Sequence, residues 1–142
     1  MTLVHGTAVV VEGAGVLIVG PSGSGKSDLA LRLIDGGGVL VADDQVDLVS
    51  AGNYLVARAP SAIAGRIEVR GVGICAVPQA PAARLHVAIE LGRERGAIER
   101  LPEPASLERL GVALPLWRLD AFEVSAAAKV RQIARALARQ GA

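Results

Sequence analysis

The sequence is poor in cysteine, lysine, asparagine and aromatic residues, and each shortage narrows what the chain can be. Its single Cys75 allows no internal disulfide, and its place in the apolar run 74–77 predicts a buried thiol. Only three aromatics, Tyr54, Trp117 and Phe122, are present, too few for the stacking platforms that hold single-stranded nucleic acid. Fifteen Lys plus Arg against fourteen Asp plus Glu give a net charge of +1. No global field then draws the protein to nucleic acid or anionic lipid, and any anion site must be local. No apolar run approaches the roughly 18 residues of a membrane span, and the first residues lack the basic start and apolar stretch of a signal peptide. These absences predict a cytoplasmic protein with neither nucleic-acid nor membrane partners.

What is present is core material: 51% of the 142 residues are apolar and 20% charged. The length suits one domain spanning 1–142, with a core of Val, Leu, Ile and Ala. Runs 7–11 and 16–19 predict a hairpin around the Gly-containing turn 12–15. A glycine-rich loop at 20–25 leads into a helix over 27–35, ended by Gly36-Gly37-Gly38. Further strands are expected at 39–42, at 46–49 and 54–57 around a turn, and at 67–69 and 74–77 around 70–73. Residues 85–91 alternate apolar and polar, which predicts a half-buried strand with His86 outward and solvated. Residues 93–110 hold four Arg, four Glu and two prolines, the composition of a solvated connection. An amphipathic helix is expected over 125–139; its Arg131, Arg135 and Arg139 form either a solvated face or a basic patch for an acidic partner.

The chemistry starts at Gly20-Pro21-Ser22-Gly23-Ser24-Gly25-Lys26-Ser27, which matches the phosphate-binding pattern G-x-x-x-x-G-K-[ST] at every fixed position. Glycines let consecutive backbone N–H groups converge on phosphate oxygens, Lys26 supplies a point charge, and the Ser27 hydroxyl suits Mg²⁺. Only Lys26 and Lys129 are lysines in a chain that otherwise uses Arg, so a compact ammonium stands where one is wanted. One helix later, Val39-Leu40-Val41-Ala42 ends in Asp43-Asp44. Neighbours on a strand face opposite ways, so one carboxylate is expected at the Mg²⁺ side and the other at the attacking hydroxyl. Asn53 is the only asparagine, which excludes the Asn-Lys-x-Asp of guanine-specific GTPases.

Four segments together resemble the catalytic domain of the HPr kinase/phosphorylase family: Val4-His5-Gly6, residues 20–27, Val41-Ala42-Asp43-Asp44, and Glu68-Val69-Arg70-Gly71-Val72-Gly73-Ile74. The last is similar to the family signature Glu-Ile-Arg-Gly-Leu-Gly-Ile. The resemblance implies an α/β fold, a P-loop-containing HPr kinase-like core whose mixed sheet has flanking helices. It implies ATP and Mg²⁺ as cofactors, with pyrophosphate as an alternative donor, and a serine of the phosphocarrier protein HPr as acceptor. Lys26 would bind the transferring phosphates, Ser27 and Glu68 would hold the metal, and Asp44 beside Asp43 would be the proton acceptor. His5 matches a family active-site histidine, and Arg109 the arginine that stabilises the transferring phosphoryl group. Phosphorolysis of phosphoserine, releasing pyrophosphate, is the reverse reaction the resemblance implies. The longer members carry an N-terminal domain absent from this sequence, so a short form is expected. The family's Pro-Val-x-x-Gly-Arg-like segment, linked with dephosphorylation, falls on Pro115-Leu116-Trp117-Arg118-Leu119-Asp120, where its Gly is not reproduced. Homo-oligomers, hexamers in the family, are implied.

Two alternatives stay open on the residues themselves. A small-molecule P-loop kinase would need a lid, for which only 93–109 is available. A nucleotide-binding regulatory module would keep the loop without turnover.

Overall fold

The β-branched runs of the first half of the chain build the middle of a mixed sheet. A computed structural model describes residues 2–60, 64–92 and 97–140. The strands are β1 (Thr2–His5), β2 (Thr7–Val11), β3 (Ala14–Val19), β4 (Val39–Ala42), β5 (Gln45–Ala51), β6 (Tyr54–Arg58), β7 (Arg66–Val69), β8 (Gly73–Ala76), β9 (Ala82–Glu90), β10 (Ala105–Arg109) and β11 (Val112–Arg118). Two helices, α1 (Lys26–Asp35) and α2 (Ala126–Gln140), complete the set. Strands β10-β11-β9-β3-β2-β4 lie side by side, with β3, β9 and β11 parallel. The first residues of β9, Ala82 to Arg84, pair antiparallel with β6, which continues the sheet into β5 and β1.

Both faces of the central strands are covered, which is why β3 reads as a continuous apolar run. On one face Val16 and Ile18 pack with Leu29 and Leu33 of α1 and with Val130 and Ala134 of α2. On the other, Leu17 and Ala88 pack with Leu48 and Leu55 from the β5–β6 hairpin and with Leu114 and Leu116 of β11. Both helices therefore serve one face, while curled strands close the other. The expected first hairpin is present, turning through Glu12 and Gly13 at φ of 51° and 80°. That is the pair of left-handed residues a two-residue turn of matching twist requires. The expected helix 27–35 begins one residue earlier and ends as anticipated, with Gly36, Gly37 and Gly38 donating to the carbonyls of Arg32, Ile34 and Leu33.

The basic face of α2 is engaged within the chain. Arg131 donates to the Arg32 carbonyl at 3.0 Å, Arg135 to Glu12 at 3.1 Å, and Lys129 to Glu123. Among the described residues no helix is long and apolar enough to cross a membrane.

Three local expectations are corrected. First, β9 does not alternate cleanly: Gly15 pairs with Leu85 but Val16 with Val87, so His86 is an extra residue in a bulge. Its Nδ1 accepts the Gly15 N–H at 3.0 Å, satisfying a donor the bulge would otherwise strand, and Ala88 beyond it is fully buried. Second, run 74–77 is not core. It belongs to a two-stranded β7–β8 ribbon in which Ile74 is 67% exposed and Cys75 only half-buried. Third, residues 105–109 of the expected connection form β10 and pair with β11. Residues 93–96 of that connection lie outside the described residues.

The bulge yields two predictions. A Cβ on Gly15 would sit 1.9 Å from the Arg84 carbonyl oxygen, so Gly15→Ala is expected to cost about 3 kcal/mol, read from denaturant unfolding. Burial first, and the Arg84 charge second, lower the His86 pKa from 6.5, against a weaker opposite push from a backbone hydrogen bond of Arg84. Neutral His86 is thus favoured in the folded state. Its contribution is fully present above about pH 6.5 and is lost as pH falls through the lowered folded-state value. His86→Gln offers the same N–H a non-titrating oxygen and is expected to flatten the acid side of the stability curve. Superimposable curves for the two proteins would show that His86 does not set it.

Candidate active site

The loop after β3 is shaped by glycines where a side chain cannot go. Gly20 has φ 152°, and a Cβ there would lie 2.7 Å from Ser24 Oγ and 3.0 Å from the Leu91 carbonyl oxygen. Gly25, at φ 96°, precedes the first residue of α1. The Ser24 N–H closes the loop onto the Pro21 carbonyl at 3.1 Å. Lys26 is buried and donates Nζ to the carbonyls of Gly20 at 2.7 Å and Pro21 at 3.0 Å, which holds the ammonium at the loop. Ser24 Oγ is a buried hydroxyl without a partner among the described residues. A glycine loop opening onto a helix N-terminus is an anion cradle, because unpaired N–H groups and the helix dipole point the same way.

Asp43 and Asp44 follow β4 and diverge. Asp43 is buried, and its Oδ1 accepts from Ser27 Oγ at 2.8 Å and Thr7 Oγ1 at 2.9 Å. Asp44 turns the other way because its backbone is left-handed, at φ 70°. The Gln45 N–H donates to the Asp43 carbonyl at 2.8 Å across it, a tight and strained γ-turn. Gly6 N–H holds the Asp44 carbonyl at 3.1 Å. His5 Nε2 lies 2.9 Å from Asp44 Oδ1, and since a carboxylate only accepts, that nitrogen carries the proton. The two carboxylates thus face different ways because of a turn rather than strand alternation.

An open cavity of about 360 Å³ lies between the loop, this turn and the β7–β8 ribbon. His5, Lys26, Ser27, Asp44 and Glu68 of the expected residues all line it. Arg109 does not. It pairs with Val112 at the tip of the β10–β11 hairpin, six residues along β11 from Arg118, or about 20 Å from the loop end of the sheet. Arg70, within the signature run, lines the cavity instead and brings a cation to it. Thr7 and Phe122 also line it and were not singled out from sequence. Thr7 reads as an ordinary strand residue, and Phe122 follows β11 with no motif around it.

The donors fit a hard divalent ion. Ser27, Asp43 and Glu68 offer oxygen only, as Mg²⁺ prefers. Among the described residues no three His, Cys, Asp or Glu side chains form a metal-holding group by themselves, so phosphate oxygens would have to complete the shell, the usual arrangement for Mg²⁺.

Comparison with known proteins points to one family. HPr kinase/phosphorylase of Clostridium acetobutylicum is 49% identical over 77 residues, covering 54% of this chain and 25% of the relative. That of an Exiguobacterium species is 46% identical over 95 residues, covering 64% and 30%. The matched part is thus only 25% and 30% of the length of these two relatives. The solved structure of the Hpr(Ser) kinase/phosphatase from Coxiella burnetii superposes with a TM-score of 0.80 at 27% identity, covering 99% of this chain and 96% of that one. The family described as the HPr Serine kinase C-terminal domain matches residues 1–118, and with the P-loop, the Asp43–Asp44 turn and the signature ribbon gathered at one cavity, the chain belongs to that family.

Proposed function

We propose that the chain is an ATP-dependent protein serine kinase that phosphorylates the phosphocarrier HPr, with phosphorolysis of the product, releasing pyrophosphate, as its reverse. The observation that carries this reading is the placement of Asp44: a carboxylate held by His5 at the rim of a phosphate cradle, while its neighbour Asp43 is committed to Ser27. A binding module has no use for that second, presented carboxylate.

The residues support an in-line transfer. The N–H groups of residues 23 and 25–27 and the Lys26 ammonium cradle the polyphosphate of ATP and offset charge on its leaving side. His5 orients Asp44, which takes the proton from the acceptor serine as its oxygen bonds to the γ-phosphorus and the bridging oxygen departs with ADP. Arg70 supplies a second cation facing the cavity. Mg²⁺, held by Ser27, Asp43 and Glu68, would neutralise phosphate charge. In the reverse direction the protonated Asp44 returns its proton to the departing serine oxygen as inorganic phosphate attacks. No role is proposed for Arg109, which this chain holds away from the cavity. Homo-oligomers, which the resemblance implies, would cover the exposed Val72 and Ile74 of the ribbon.

The small-molecule kinase reading is less well supported. Its lid would come from 93–109, yet Ala97, Ile98, Pro102 and Glu103 line a hollow with Leu116 and Trp117 of β11 that shares no lining residue with the P-loop cavity.

The test is transfer of labelled phosphate from ATP·Mg²⁺ to an HPr-type protein, with mapping of the modified residue. Acid-stable phosphoserine is expected. Asp44→Asn is expected to lower transfer by about 10²–10⁴-fold while nucleotide affinity stays within about threefold. Tight ATP binding without transfer to protein would reject the proposal.

A further inference from the structure

Phe122 is the one phenylalanine of the chain, and it is 68% exposed at the edge of the P-loop cavity. The segment that carries it is firmly held. Leu119 N–H donates to the Glu90 carbonyl at 3.1 Å, and Phe122 N–H to Asp120 Oδ1 at 3.0 Å. Arg32 of α1 reaches across to the carbonyls of Ala121 and Glu123. Ala121 itself is buried against Gly25. The ring is thus presented outward from a fixed loop, with its Cζ and Cε1 edge against Gly25: a Cβ there would come within 3.2 and 3.3 Å of them.

The sheet gives this position a direction. In the order β11-β9-β3-β2-β4 the phosphate loop follows the central β3, and Asp43 and Asp44 follow β4, two strands to one side. Phe122 follows β11, two strands to the other side. Strands β3, β9 and β11 are parallel, so their following segments emerge at one edge of the sheet, where ligands of parallel sheets bind. A donor lying in the loop with its reacting phosphorus toward Asp44 therefore extends its leaving-group end toward β11.

From this polarity we infer that Phe122 is the platform on which the nucleotide base stacks. The inference rests on the proposed use of ATP and adds which residue recognises its nucleoside part. An aromatic face accepts any base, so Phe122 separates nucleotides from bare polyphosphates without choosing among purines. The ring meets the ligand by its π-face, and aliphatic volume alone does not replace it.

The experiment is calorimetric titration, with Mg²⁺, of a non-hydrolysable ATP analogue and of inorganic tripolyphosphate into the wild type, Phe122→Leu and Phe122→Trp. Phe122→Leu is expected to weaken the ATP analogue about tenfold and leave tripolyphosphate within about twofold, while Phe122→Trp keeps nucleotide affinity. Tripolyphosphate binding doubles as the control for folding. Equal weakening of both ligands would overturn the inference by making the ring a support of the loop. Unchanged nucleotide affinity would also overturn it, and a rise confined to the KM for HPr would assign the ring to the protein acceptor. Failure of the wild type to bind the ATP analogue is a different result, which would reject the nucleotide reading itself.

Discussion

The buried carboxylate of Asp43 is the tie on which the site depends. Through one oxygen it accepts from Thr7 at the start of β2 and from Ser27 in the first turn of α1, so three elements converge on a single atom at the end of β4. A buried carboxylate needs such partners, because removing it from water unpaired costs far more than each bond returns. Strand β4 ends at Ala42, just before this tie. The chain leaves through a left-handed turn, and Asp44 is presented to the cavity with His5 as its support. Two adjacent, chemically identical residues take different positions and partners across one backbone turn. Strain of this kind is found where geometry serves chemistry.

The rest of the fold arranges chemistry on either side of that tie. Strand β3 is buried on both faces and delivers the P-loop at the centre of the sheet's edge. The β7–β8 ribbon adds Glu68 and Arg70 from outside the main sheet, against α1. The bulge at His86 lets β9 pair with β3 despite an unmatched residue, and the imidazole repairs the hydrogen bond that the mismatch breaks.

What was legible in the sequence was local. The P-loop, its helix and the glycines that end it follow from residue types at fixed spacing, and the signature run identified the ribbon that carries Glu68. The divergence of Asp43 and Asp44 was anticipated, though for the wrong geometric reason, since strand alternation gives no hint of a γ-turn. Contacts between distant segments were not legible. Thr7 matters only because β2 lies beside β4, and Phe122 only because β11 ends beside the P-loop. Ile74 resembles a core residue by composition, but a two-stranded ribbon has an uncovered side, and Cys75, opposite the buried Ile67, is only half-buried. Arg109 shows the limit of motif matching: a residue type in a familiar setting was carried by a hairpin to the opposite end of the sheet. The charged, proline-bearing run before it concealed β10, whose partner β11 itself contains Pro115.

The proposed function divides the neighbouring carboxylates, Asp43 to the metal and Asp44 to the acceptor. Electron paramagnetic resonance of Mn²⁺ bound with a non-hydrolysable ATP analogue tests it directly, using Asp43→Asn and Asp44→Asn. Asp43→Asn is expected to weaken the metal at least about tenfold, whereas Asp44→Asn leaves it within about twofold. Equal losses in both variants, or a larger loss in Asp44→Asn, would contradict it.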